Sequence, residues 1–315
     1  MKAILIGLLV GFQLITYAQR FDTTSVYTES PAILQTATGK LSGTLIRPKK
    51  EIKEIALIIA GSGPTDRNGN NPFMKNNSLK MMAGALAEQG IASVRFDKRG
   101  IAASTPAGPD EINLRFSLYV EDAKEWISWI RQTNPGYRIT VIGHSEGSLV
   151  GMMASSLADR FISVSGSGRP AGEILSEQLV TQYPQQKDYI STTIDSLTRH
   201  LAVKNVNPLF FSIFRPSIQP YIMSWFEHNP QPLIAALHIP VLIIQGDRDV
   251  QVKVKDAEQL KLSQPNAILA IIPHMNHVLK EVEDDYAANI KSYSDPLLSL
   301  APGLMDKITS FILEK

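Results

Sequence analysis

The stretch Tyr137–Val150, YRITVIGHSEGSLV, constrains this chain more than any other. Ile139-Thr140-Val141-Ile142 is a short β-branched apolar run, the composition of a strand buried on both faces of a parallel sheet. Leu149 to Ala154 reads as the helix that follows. Between them stands Gly143-His144-Ser145-Glu146-Gly147, a G-x-S-x-G pattern. A serine on so tight a strand-to-helix turn takes a strained backbone. Neighbouring segments pass so close that the positions two before and two after it must be nearly free of side chain. The turn lifts Ser145 Oγ clear of the sheet and sets it at a helix start, where amide N–H groups favour negative charge.

The same alternation recurs on both sides of this element. Ile33–Ile46, ILQTATGKLSGTLI, alternates around Gly39-Lys40 as an antiparallel hairpin. Ile55–Ile59, Ile91–Phe96, Phe161–Gly166, Ile239–Ile244 and Ala267–Ile272 read as further strands. Helices are expected over Ser78–Gln89, Leu118–Thr133, Lys255–Leu262 and Gly303–Glu314. Strands and helices in this order predict an α/β protein with a mostly parallel, doubly wound sheet. Residues 171–236 break the order. They hold a helix with Ile190, Ile194, Leu197 and Leu201 on one face, then a proline-punctuated aromatic run from Phe210 to Phe226. This segment is read as a helical cap inserted into a core made of residues 19–170 and 237–315.

Composition removes several alternatives. Lys and Arg number 31 against 30 Asp and Glu. The first 18 residues contain only Lys2, so the remainder is balanced, which argues against nucleic acid or an anionic membrane surface as partner. Zero Cys excludes disulfides, cysteine nucleophiles and thiolate metal sites. Residues 1–18, with Lys2, an apolar stretch and the Ala18-Gln19 junction, have the pattern of a signal peptide, so the mature chain is expected to begin at Gln19 and to be periplasmic or secreted. The apolar stretch is shorter than the roughly 20 residues of a membrane span, so no stable membrane insertion of the mature chain is expected.

A serine hydroxyl becomes a nucleophile only when a base takes its proton and a carboxylate orients that base. After Ser145 the chain offers Gly246-Asp247-Arg248-Asp249 behind one strand and Pro273-His274-Met275-Asn276-His277 behind the last. Asp247 directly follows Gly246 and looks like a turn former, so Asp249 is favoured as the acid. His277, deeper in its loop, is favoured over His274 as the base. His144, His200, His228 and His238 read as packing or surface residues, and the sharp turn should carry the His144 side chain away from the nucleophile. An oxyanion hole needs two N–H donors. Glu146, next after the serine, supplies one, and Ser62 in the loop Gly61–Asn70 supplies the other. The Glu146 carboxylate reads as a partner of the helix dipole. Asp97 and Arg99, at a strand end, read as loop braces. No P-loop lysine follows the glycines of that loop, and no cofactor or metal is expected.

With GSGPTDRNGN, VRFDKRG, GHSEG, QPYIMSWF, PVLIIQGDRDVQV and MNHVLK spread over most of its length, the chain resembles bacterial α/β-hydrolase serine hydrolases. The nearest likeness is to the serine-aminopeptidase-like (S33-type) group, which includes secreted carboxylesterases. It departs from the common pattern at Ala60, where many such hydrolases carry His, and at Ala102-Ala103, in place of a more usual Gly. The resemblance implies the α/β-hydrolase fold and a Ser145, Asp249, His277 triad. It also implies hydrolysis of a small-molecule carboxylic ester through an acyl-serine, with a peptidase or amidase of the same mechanism as the alternative; the aromatic run Phe210 to Phe226, expected to roof the acyl site, suggests short acyl chains. A non-catalytic binding protein on a hydrolase scaffold is the reading from another class.

Overall fold

The computed structural model describes residues 26–50 and 52–314. The expected signal peptide and its junction at Gln19 lie outside the described residues. β1 (Tyr27–Thr36) and β2 (Gly39–Pro48) form the hairpin, closed by the two-residue turn Ala37-Thr38, after which Gly39 adopts φ 144°. It is longer than its alternation suggested, because Tyr27 to Pro31 also pair, with Thr44 to Pro48. Then follow β3 (Glu54–Ile59), α1 (Ser78–Glu88), β4 (Ala92–Phe96), α2 (Phe116–Thr133), β5 (Arg138–His144), α3 (Glu146–Ala154) and β6 (Arg160–Val164).

No strand lies between β6 and β7 (Val241–Gly246); the chain there makes α4 (Ala171–Gln182), α5 (Lys187–Thr198), α6 (Phe211–Phe214), α7 (Gln219–Phe226) and α8 (Pro230–Ala235). α9 (Val254–Ser263), β8 (Ile268–Ile272), α10 (Tyr286–Ser292) and α11 (Leu304–Leu313) complete the described chain. Ile190, Ile194 and Leu197 of α5 are buried as their spacing predicts. Leu201 is not: the helix ends at Thr198, His200 turns at φ 60°, and Leu201 emerges 55% exposed.

The eight strands form one sheet in the order β1-β2-β4-β3-β5-β6-β7-β8. The hairpin joins antiparallel, and every pairing from β4 to β8 is parallel. β5 therefore runs between β3 and β6, covered on both faces. Its alternate residues feed two cores. Ile139 and Val141 join α2, α3 and the inserted helices around Trp126 and Phe161. Ile142 joins α1 and α11 around Met82, Leu86, Leu304 and Ile308. Because the strands are parallel, the loops after β3, β4, β5, β6, β7 and β8 all leave at one rim, where ligands of open α/β sheets bind. Among the described residues no helix is long and apolar enough to cross a membrane.

Candidate active site

Ser145 stands between β5 and α3 at φ 55°, ψ −122°. A non-glycine residue held there costs about 1–3 kcal/mol and persists only where its surroundings over-determine it. The two flanking glycines are what permit the turn. A Cβ on Gly143 would lie 2.2 Å from the Gly147 carbonyl oxygen, and one on Gly147 would lie 2.4 Å from that of Ile59. Two backbone bonds tie the elbow down: Ser145 N–H donates to Val164 O at 3.0 Å, and Ser148 N–H donates to Ser145 O at 2.9 Å.

The acid and base loops meet because Gly246 has no side chain; a Cβ there would sit 2.0 Å from the Met275 carbonyl oxygen. The structure brings Ser145, His277 and Asp249 into one hydrogen-bonded line. His277 Nε2 is 3.1 Å from Ser145 Oγ, and His277 Nδ1 is 2.8 Å from Asp249 Oδ2. Asp249 also accepts from Gln245 Nε2 at 2.9 Å and from the amides of Gln251 and Val252 at 2.8 and 2.9 Å. Burial alone would raise the Asp249 pKa, but His277 and the two amides outweigh it and hold the carboxyl below its ordinary value. Asp249 is thus a carboxylate that accepts the Nδ1 proton, which leaves the Nε2 lone pair free to accept from Ser145.

Asp247 and His274 are not part of this line. Both are exposed, and the Asp247 carboxylate accepts the His274 backbone N–H at 2.7 Å, tying one loop to the next. His144 is a buried packing residue, and the surface it packs against is His277. Its ring lies 5.1 Å from that of His277, and its Nε2 is 2.8 Å from the His277 carbonyl oxygen. Burial, with His277 beside it, pushes the His144 pKa down to about 4. A neutral His144 then donates its Nε2 proton to that carbonyl and steadies the backbone of the base from behind. Of the remaining histidines, His200 and His238 are exposed, while His228 lies half-buried, its ring 5.3 Å from that of Phe116.

The two residues expected to supply oxyanion donors come from the ends of β5 and β3. Glu146 opens α3, so its N–H has no carbonyl one turn back to receive it. Ser62 follows Gly61, which lies hard against the elbow: a Cβ on Gly61 would be 3.0 Å from Ser145 Cβ. The Glu146 side chain does more than complement a helix dipole. It is buried, takes Lys98 Nζ on one oxygen at 3.0 Å and accepts the Tyr221 hydroxyl on the other at 2.7 Å. Lys98 also donates to Gly61 O at 2.6 Å. Lys98 and Tyr221 went unread in the sequence; the only signal was a lysine inside VRFDKRG, between two residues with bracing roles. Those braces are present. Asp97 accepts from Arg67 Nη2 at 2.6 Å and from the Ala103 amide at 3.1 Å, while Arg99 Nε donates to Asp122 at 2.8 Å.

The aromatic residues of the inserted segment divide in two. Phe210 and Phe214 are fully buried within it, Phe210 against Tyr183 and Tyr189. Tyr221 and Trp225 instead face α2, where Trp225 stacks on Phe116 with centroids 6.3 Å apart. Phe211, in the same run, is 52% exposed. Among the described residues no group of three or more His, Asp or Glu could hold a metal ion.

Comparison with known proteins agrees with the architecture. Residues 76–187 match the family model described as serine aminopeptidase, S33, a span that includes Ser145 but neither Asp249 nor His277. Esterase EstD of Thermotoga maritima is 27% identical over 230 residues, 71% of this chain and 54% of its own; the chain thus spans about half the length of that relative. Est1E from Butyrivibrio proteoclasticus superposes with a TM-score of 0.58 at 16% identity, over 90% of this chain and 98% of its own. The Pyrococcus furiosus esterase Pf2001 gives 0.56 at 16% identity, over 91% and 92%. With its sheet order, its serine elbow and these likenesses together, the chain has the α/β-hydrolase fold and over residues 76–187 resembles the S33 serine aminopeptidase group.

Proposed function

We propose that the protein is a serine hydrolase that cleaves carboxylic esters of small molecules, with a preference for short acyl groups. The observation that carries this reading is the line Ser145 Oγ, His277, Asp249 at 3.1 and 2.8 Å. In the reaction His277 Nε2 removes the Ser145 proton as Oγ attacks the ester carbonyl carbon. The carbonyl oxygen, now negative, is received by the N–H groups of Ser62 and Glu146. His277 then gives its proton to the departing alkoxide, leaving an acyl-serine and an alcohol. A water enters, loses a proton to His277 and attacks the acyl carbon; collapse returns the proton to Ser145 and releases the acid. Asp249 keeps its charge throughout and stabilises the imidazolium.

The S33 description raises a peptidase of the same mechanism as the second reading. An aminopeptidase needs a carboxylate to receive the substrate ammonium. Glu146, the carboxylate adjoining the nucleophile, is already committed to Lys98 and Tyr221. Rates on p-nitrophenyl acetate, butyrate and octanoate, set beside rates on amino-acid p-nitroanilides, test the choice. Faster turnover of any anilide than of every ester would overturn the ester reading. A fluorophosphonate probe should label Ser145, whereas an unlabelled, inactive protein would return the chain to the class of binding proteins. In this reading residues 171–236 cap the site, supported by the reach of Tyr221 from α7 to Glu146. Export by residues 1–18 completes it; native protein purified with Met1 intact would remove that part.

A further inference from the structure

Three buried side chains beside the elbow have no part in the proton line. Lys98 follows β4 and is 2% exposed, yet its ammonium is fully engaged: it donates to Gly61 O at 2.6 Å and to Glu146 Oε1 at 3.0 Å, and lies 5.0 Å from the centre of the Tyr119 ring. The second oxygen of Glu146 accepts the hydroxyl of Tyr221, which arrives from α7. Burial and the neighbouring Glu146 push the Tyr221 hydroxyl well above its ordinary pKa, so it stays a donor. An ion pair taken out of water is weak evidence for stability, since apolar residues of the same volume often serve as well. Its worth has to be sought in what it holds.

It holds one peptide. The Gly61–Ser62 bond is trans, as are all described peptide bonds, so its C=O and N–H point in opposite directions. A carbonyl fastened to Lys98 leaves the Ser62 N–H no freedom to turn. A cation on the carbonyl oxygen also draws charge from the peptide and strengthens its N–H as a donor. Gly61 is the residue pressed against Ser145 Cβ. We infer that Lys98 is a positioning residue: through the Gly61 carbonyl it aims and polarises the Ser62 N–H for the oxyanion, while Glu146 and the Tyr221 hydroxyl hold the ammonium in place. The inserted segment thereby grips the oxyanion site directly. This inference rests on the serine-hydrolase reading above.

The test separates transition-state from ground-state effects. Lys98→Met keeps the stem and removes the cation; kcat on p-nitrophenyl butyrate should fall about 10²–10³-fold, the scale of one oxyanion donor, with KM within about threefold. Affinity for a trifluoromethyl ketone, which forms a hemiketal oxyanion on Ser145, should fall in step with kcat. Tyr221→Phe loses only a hydroxyl and serves where Lys98→Met fails to fold by circular dichroism; it should show the same signature at about 3–10-fold. Folded variants that match wild type, or that lose kcat while binding the ketone as well as wild type does, overturn the inference alone. Wild-type protein that turns over no ester and leaves Ser145 unlabelled by fluorophosphonate overturns the function and this inference together.

Discussion

At the rim of the sheet, Asp249 accepts four hydrogen bonds and Glu146 two, five of the six from the strands and their rim loops and one from Tyr221 of α7. Between β6 and β7 the chain uses another chemistry. There Phe210 stacks on Tyr189 with centroids 5.5 Å apart, Phe214 lies beside Phe210, and Ile190 and Leu197 fill the space around them. Directional bonds hold atoms to tenths of an ångström, as proton transfer requires. Apolar packing holds shape and tolerates exchange of side chains of like volume. The rim should therefore respond to substitution in rate and the inserted segment in stability.

The largest effect is expected at the rim. Ser145→Ala removes an oxygen that contributes little packing, so the protein should fold and lose on the order of 10⁴–10⁶ in kcat. Asp249→Asn and His277→Ala should each lose at least about 10³, whereas Asp247→Asn and His274→Ala should stay within about tenfold. Steady-state rates on p-nitrophenyl butyrate with unfolding curves for each variant decide it. Loss of rate in the second pair, equal to the first, would mean that these exposed residues act in the chemistry.

In the inserted segment the order of effects should reverse. Phe214→Ala empties a fully buried site and should cost about 3–5 kcal/mol of folding stability, read by urea denaturation. The rate of the folded fraction should hold within a few-fold. A variant of unchanged stability but lowered kcat would join this segment to the machinery of the rim.

How far the sequence carried the argument follows the same division. β5, the elbow and the two glycines were legible because steric demands on a strand–turn–helix act within five residues. The choice of Asp249 and His277 over their neighbours was a matter of loop depth, and in the structure His277 meets Ser145 while Asp249 meets His277. That His144 packs was legible, but its partner was not, because it comes from the loop of His277, 133 residues on. The bonds among the Lys98, Glu146 and Tyr221 side chains were illegible for the same reason; they join the loop after β4 to α3 and α7, and no local period records them. The extra α4, α8 and α10 carry weak apolar stripes, and Leu201 continued a helical spacing past the helix that made it. The two aromatic populations of Phe210–Phe226 look alike in sequence and differ only in what they face.

His144 offers a test of intermediate size that crosses the division, since it binds the rim by packing as well as by a hydrogen bond. Its pKa is about 4 folded against an ordinary 6.5, so between these values the unfolded chain binds the extra proton. Its share of stability is whole above pH 6.5 and is lost as pH falls towards 4, the loss reaching about 3 kcal/mol at the lower end. His144→Gln, which keeps an N–H donor but does not titrate, should flatten the fall in urea stability between pH 7.5 and 4.5. The same slope in both proteins would show that His144 charges freely in the fold.

The smallest effect concerns Trp225, where the two regions touch. It is half-buried on α7 and lies nearly parallel to Phe116 of α2, at 8° between planes. α7 is also the helix whose Tyr221 reaches Glu146, so Trp225 stands one turn along from a side chain at the elbow. If this part of the segment limits acyl length, Trp225→Ala should raise kcat/KM on the octanoate relative to the butyrate, by a discrimination of about 1–3 kcal/mol. The buried Phe214, by contrast, should leave that ratio unchanged when it is replaced. An unaltered chain-length profile in Trp225→Ala, together with lower thermal stability, would make Trp225 one more packing residue. The acyl limit would then have to come from the rim itself, where Tyr119 of α2 already lies against Tyr221 at 5.6 Å.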